Sequence, residues 1–413
     1  MSSISQIADT VKAGPGTSKV ISVAGAMIII GAILSFVGFK SAAAGDTGFA
    51  ISWLWGMSFI FICCMGCFFF VVLHHITGAV WSVVVRRIPE LFMKQMWVVF
   101  ILFMMYIIFS TYGTDHPLYH WIHPPADDAI LEAKSGWLNW NSFILRGIIG
   151  LFALMALSFK FVSSSINQDN KRPCVQTTLG LRKLSLWAMP CFALCITFLG
   201  IDWIKSLEPH WFSTMYGVYI FGGAVVTGMS IIVLVTIWLR SSGRMGENIV
   251  TNEHLYSLGA FMFAFTVFWT YIAFSQFMLI WYGNISEETI YYQMRGWAMG
   301  SKDTNQGWYC LTCGLVILRF IIPFLMLLSR KAKMCPKMLV TAAIIIIIGE
   351  MVDLYWMIMP NLFPEAPRLP IWLLGPLLLA SGLVLVGVGK MIAKEKMVPV
   401  GDPLFEKSVN FHL

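Results

Sequence analysis

The chain has 413 residues, of which 58% are hydrophobic and only 12% charged, with a formal net charge of +7; its mean hydropathy is +0.75. Soluble globular chains carry about 25% charge and about 45–50% apolar residues, so there is too little charge here to cover a water-facing surface. That excludes a soluble enzyme, a disordered scaffold and a nucleic-acid-binding protein. It also excludes an outer-membrane barrel, whose strands alternate in polarity and lack long apolar runs. The composition predicts an all-α polytopic membrane protein.

A hydrocarbon layer about 30 Å thick is crossed by roughly 20 helical residues at 1.5 Å each. Ten windows meet that length: 20–39, 50–73, 95–112, 142–161, 184–204, 213–239, 255–282, 307–329, 338–359 and 370–391. Ala42, Ala43 and Ala44 follow the first window as in a signal peptide. Its apolar run is longer than a signal peptide's and 19 residues precede it, so it is predicted to be retained. Twenty of the 28 Lys and Arg residues fall on the side shared by both termini, seven on the other, and Arg319 inside a span. The positive-inside rule then places both termini in the cytoplasm. The basic balance is a matter of topology rather than of nucleic acid.

The chain, 1–413, reads as one integral membrane domain with a faint parallel repeat. Gly200, Asp202, Trp203 and Pro209 end the fifth span, and Gly349, Glu350, Asp353, Trp356 and Pro360 recur in and after the ninth. The repeat divides the chain into a first four-helix bundle, 50–204, and a second, 213–359, with spans 1 and 10 peripheral.

The nine cysteines form no disulfide framework. Cys63, Cys64, Cys67, Cys191 and Cys195 lie in apolar runs and read as packing; Cys310 and Cys313 lack a second Cys or His pair. The outer loop 113–140 holds His116, His120 and His123 with Asp115, Asp127 and Asp128. Pro117, Pro124 and Pro125 punctuate it, so it reads as an irregular cap that docks a peripheral partner rather than as a metal site. No metal ligand and no catalytic residue is predicted.

Ionisable groups inside a span are functional candidates because their burial in lipid is costly. Arg319 and Glu350 lie roughly 16 and roughly 20 Å from the same face of an antiparallel hairpin, by helical rise, so they can pair. Two readings stay open: an ion pair that joins the hairpin, or a proton relay through Glu350 and Asp353, one turn apart on one helix face. His74 and His75 end the second span on the cytoplasmic side, where an imidazole suits proton uptake or simply caps a helix. Between spans 5 and 6, Asp202, Lys205, Glu208 and His210 lie among Trp203, Trp211 and Phe212. A quinol head needs a flat apolar slot and acceptors for its two hydroxyl protons. The segment has those ingredients for a quinone site or an outer proton exit, as does an amphipathic turn at headgroup level.

At this segment a family likeness is visible. Ser206-Leu-Glu-Pro-His-Trp-Phe-Ser-Thr-Met-Tyr-Gly217, the aromatic stretch Phe263–Tyr282 and Ile285-Ser-Glu-Glu-Thr289 resemble the NrfD-like (polysulfide-reductase-type) membrane subunits of bacterial alternative complex III, in particular the second of them. The resemblance implies a subunit of a respiratory quinol:cytochrome c oxidoreductase in the bacterial inner membrane, not catalytic alone. Its implied partners are a sister NrfD-like subunit, iron–sulfur and cytochrome c subunits, and the quinol pool. Haem c and iron–sulfur clusters would sit on those partners and none on this chain, with quinone or menaquinone as its ligand and proton translocation as its task. The alternative is a secondary transporter or another ion-translocating protein, which calls for inverted repeats and broken helices at the midplane. The repeat here is parallel, although Pro190, Pro323 and Pro376 lie within spans.

Overall fold

The computed structural model describes residues 16–41, 47–111, 118–125, 127–169, 174–245, 248–298 and 305–412. Ala42, Ala43, Ala44, Asp115 and His116 lie outside them. Among the described residues ten helices are long and apolar enough to cross a bilayer. They are α1 (Gly16–Ser41), α2 (Gly48–Thr77), α3 (Arg87–Ser110, broken at Lys94 and Gln95), α4 (Trp140–Asp169) and α5 (Val175–Trp203), followed by α6 (Tyr216–Ser241), α7 (Asn252–Gly283), α8 (Gln306–Leu327), α9 (Pro336–Ile358) and α10 (Leu374–Lys394). Among the described residues there is no strand. The chain is an all-α, multi-pass integral membrane protein. The ten spans bring the start of α1 and the end of α10 to one face, called the terminal face; the other is the far face.

Every apolar window coincides with a helix, but three helices overrun theirs by about two turns, α3 by beginning at Arg87 instead of 95. α4 continues past residue 161 to Asp169, and α5 begins at Val175 instead of 184. The added turns carry Ser163, Ser164, Thr177, Thr178, Arg182 and Lys183, so hydropathy stops where the backbone does not.

Helices α2 to α5 form a ring in which α2 packs on α3 and α5, and α4 closes the circuit between them. A second ring has α6 against α7 and α9, with α8 between α7 and α9. The rings meet chiefly where α2 crosses α6, while α1 touches the rest mainly through α10, which rests on α2. Nearly all of α2 is buried, as its all-round apolar sequence requires.

Lipid removes the hydrophobic drive between helices, so close packing relies on small residues. A Cβ on Gly66 of α2 would lie 1.9 Å from the Ala224 carbonyl oxygen of α6, and one on Gly228 would lie 2.5 Å from the Gly66 backbone. The α1–α10 contact is built the same way, with Gly31 against the Leu379 amide and Gly375 against Ser35.

The terminal face is closed by a buried charge network. Arg86 donates to Asp402 at 2.7 Å and to Glu90 at 3.3 Å, while Arg87 donates to Asp169 at 2.6 Å. Ser165 donates to Glu90 at 2.9 Å, and Asp169 accepts the Gly401 amide at 3.2 Å. Burial works against the Arg86 charge, but Asp402 and Glu90 outweigh it and hold the guanidinium above its usual pKa. The network ties α3, α4 and the C-terminal segment together, with Ser408 of that segment bonded to the Val84 amide and the Trp81 carbonyl.

The α2–α6 crossing is directly testable. Gly66→Leu should pry the rings apart and abolish a monodisperse detergent-solubilised protein, since overpacking a tight core costs about 1–3 kcal/mol or more. Gly314→Ala, where an added Cβ meets nothing within 4 Å, should leave the melting temperature unchanged or slightly raised in the same thermal unfolding assay.

Candidate functional site

Pro323 in α8 has no amide hydrogen, and in a regular helix its ring would collide with the carbonyl four residues earlier, that of Arg319. The helix widens into a π-turn over Ile317–Ile321, a distortion that recurs at functional sites. Arg319 sits at the centre of this turn and points into the second ring. Its two terminal nitrogens pair with both acids of α9, Nη1 with Asp353 and Nη2 with Glu350. The pairing expected for the hairpin is present and extends to Asp353.

All four helices of the ring contribute to this cluster. From α6, Thr227 donates to Glu350 at 3.0 Å and the Tyr219 hydroxyl donates to Asp353 at 2.6 Å. From α7, the Trp269 ring lies 4.0 Å from the Arg319 guanidinium carbon, a cation–π contact. Gly223 of α6 makes the approach sterically possible, because a Cβ there would come within 2.8 Å of Arg319 and 3.0 Å of Glu350. Arg319, Glu350 and Asp353 are each buried. With both carboxyls ionised the cluster carries one net negative charge; one bound proton cancels it. Chemically it can take up one proton.

A cleft of about 410 Å³ opens beside the cluster between α7 and α8. Tyr219 and Trp269 line it, and these same side chains touch Asp353 and Arg319. Phe277, Trp297, Phe320 and Trp356 supply further rings, while Phe274 and Val316 at its rim are exposed on the helix surface that lipid covers. The Trp269 indole N–H has no partner among the described residues. Tyr292, from the loop helix Ser286–Gln293, accepts from Gln276 at 3.3 Å, and burial pushes its hydroxyl up to about 12. It therefore stays a neutral hydrogen-bonding group.

The outer segment is taken apart by its own partners. Asp202 is held by Arg146 at 2.6 Å and by Trp137 at 3.1 Å; Lys205 donates to the Trp211 carbonyl at 2.6 Å. His210 pairs at the surface with Asp128 at 2.6 Å, the residue that caps the helix Ala129–Lys134. Trp203 and Trp211 are fully buried, whereas Phe212 is exposed. The loop expected to dock a partner clamps this segment, with Trp121 on the Ser206 carbonyl and Lys134 on that of Pro209. Among the described residues no group of three His, Cys, Asp or Glu side chains can hold a metal ion.

Glu208 differs from its neighbours. It accepts from Arg295 at 2.8 Å, and Arg295 also donates to the Trp356 and Met357 carbonyls of α9, one turn beyond Asp353. Burial opposes the Arg295 charge, but Glu208 more than offsets it and holds the guanidinium above its ordinary pKa. The other Glu208 oxygen is buried without a partner among the described residues. On the terminal side, His74 donates through Nδ1 to the Phe70 carbonyl at 2.7 Å, and His75 leaves Nε2 unpartnered among the described residues. Between these histidines' level and Glu350, α6 carries the buried hydroxyls of Thr227, Ser230 and Thr236.

Sequence reasoning missed Tyr219, Thr227, Gly223, Trp269 and Arg295. The first four are ordinary residues of apolar or aromatic runs that only the ring geometry turns toward the acids, and Arg295 is a loop base that sequence reasoning counts only among the charges of its face. No family model and no curated protein matches the chain.

The cluster predicts an asymmetric mutational outcome. Arg319→Gln strands two buried carboxylates and should cost about 3–5 kcal/mol, read as a loss of folded protein in detergent. Combining it with Glu350→Gln and Asp353→Asn should recover most of that loss. Equal stability of the single and triple variants would show that charge compensation is not what Arg319 supplies.

Proposed function

We propose that this chain is a membrane subunit of a respiratory quinol:electron-acceptor oxidoreductase of the alternative complex III type, in which it binds a quinol head in the α7–α8 cleft and conducts its protons. The observation that carries the reading is the contact between an apolar, ring-lined cleft and a one-proton ion cluster through Tyr219 and Trp269. The family resemblance of residues 206–217, 263–282 and 285–289 supports it independently.

In this reading the cleft takes the flat ring from the hydrocarbon layer and excludes water. The Tyr219 hydroxyl donates its hydrogen to Asp353, which leaves its oxygen free to accept a hydrogen bond from a quinol hydroxyl. A proton passing through Tyr219 reaches Asp353, and Arg319 holds Asp353 and Glu350 as one unit over which that proton is shared. Arg295 and Glu208 lead outward from the far end of α9, and Glu208 is the exit group. Thr227, Ser230 and Thr236 lead from Glu350 toward His74 and His75, the groups for uptake at the terminal face, which this reading places in the cytoplasm of a bacterial cell. The electrons leave to haem and iron–sulfur centres held by partner subunits at the far face.

Glu350→Gln preserves size and the hydrogen bond from Thr227 while removing titration. In the assembled complex it should reduce quinol-linked proton transfer about 100-fold or more, the scale of a lost general base, while leaving subunit content intact. Normal quinol turnover and normal proton-to-electron coupling in the assembled variant would reduce the cluster to a structural ion pair.

A further inference from the structure

On the other ring, α4 and α5 enclose a groove of about 430 Å³ near the terminal face. Lys160 and Ser164 line it from α4, four residues apart and so on one helix face. Thr177, Gly180, Leu184 and Trp187 line it from α5 at spacings of three and four, joined by Lys183. Among the described residues neither lysine makes an ion pair, and neither the Ser164 nor the Thr177 hydroxyl has a hydrogen-bond partner. Four other basic groups of this face are held by protein partners: Arg86 and Arg87 by acids, Arg240 by Asn252, Lys333 by the Leu327 and Leu328 carbonyls.

Depth decides what fits. The apolar windows of α4 and α5 end at residues 161 and 184, beside Lys160 and Lys183, although both helices run on for about two more turns, or roughly 12 Å. The two ammonium groups are therefore level with the boundary between hydrocarbon and headgroups. Trp187, 80% exposed beside them, is the kind of ring that anchors at that layer. We propose that this groove binds an anionic phospholipid, its phosphate held between Lys160 and Lys183, its headgroup hydroxyls near Ser164 and Thr177, and an acyl chain along Leu184 and Trp187. Basic pockets between spans at this depth suit acidic headgroups. A zwitterionic lipid brings its own cation beside the phosphate and so offsets none of the net positive charge of the two lysines. Gly180, where a Cβ would meet nothing within 4 Å, keeps the groove open.

The test is native mass spectrometry of the full chain, purified in the assembly it forms, titrated with phosphatidylglycerol or phosphatidylcholine. The wild type should retain phosphatidylglycerol preferentially. Lys160→Gln with Lys183→Gln should weaken that binding about 30-fold, while Lys160→Arg with Lys183→Arg should keep it and show that the site tolerates substitution. Gly180→Leu fills the groove without touching the charge and should also weaken retention. Equal retention of both lipids by the wild type, unchanged phosphatidylglycerol binding in the Gln and Leu variants, or a photocrosslinker at position 187 that captures a polypeptide in place of lipid would overturn the proposal.

Discussion

A guanidinium that cannot reach water must find its counter-charges inside the protein, and the second ring is arranged around that requirement. Arg319 is too deep in α8 to reach either membrane face, so two carboxylates on α9 neutralise it, a tryptophan face on α7 covers it, and α6 gives up a side chain at Gly223 to let the groups meet. The π-turn before Pro323 is part of the same arrangement, because it sits where the helix must present Arg319 to α9. Two acids for one base leave one negative charge over. The same excess makes the cluster costly as a pure staple and leaves it able to bind a proton.

The first ring repeats the chemistry in a shallower form. Arg146 on its third helix, α4, meets Asp202 on its fourth, α5, with the Trp137 ring 4.1 Å from the guanidinium carbon. The second ring sets Arg319 on its third helix, α8, against Glu350 and Asp353 on its fourth, α9, under Trp269. Position along the helix separates the two. Arg146 lies two turns inside the far end of α4 and is partly exposed, so water competes for its charge and a single acid is enough. Arg319 lies about 20 Å along α8 by helical rise and needs both acids. One pattern of base, acid and ring thus gives a rim clamp in one half of the protein and a buried ion cluster with one excess acid in the other.

Much of this was legible in the sequence, and what was not has physical reasons. Ten spans follow from apolar runs, because the bilayer imposes a length and a polarity on each of them. Arg319, Glu350 and Asp353 stand out because charge in such runs is rare, and the helical rise alone puts two of them at one level. The outer segment reads as a cluster in sequence, yet Asp202, Lys205, Glu208 and His210 turn to four different partners, since the irregular chain after Trp203 shares no single face. The terminal-face network of Arg86, Arg87, Glu90, Asp169 and Asp402 joins residues more than 300 positions apart, which no local pattern reveals. The cleft is equally hidden: aromatic residues of α7 and α8 look like lipid-facing surface until the packing shows that they leave a space.

The account stands on the quinol head occupying the space beside the cluster and not the outer segment. A photoreactive quinone analogue applied to the intact complex, with the labelled peptides identified by mass spectrometry, tests this most directly. The account predicts labels on residues 269–277 and 312–320, reduced when native quinol competes and when Trp269→Phe or Tyr219→Phe alters the inner wall. Labels confined to partner subunits, or to residues 200–217 of this chain, would contradict it.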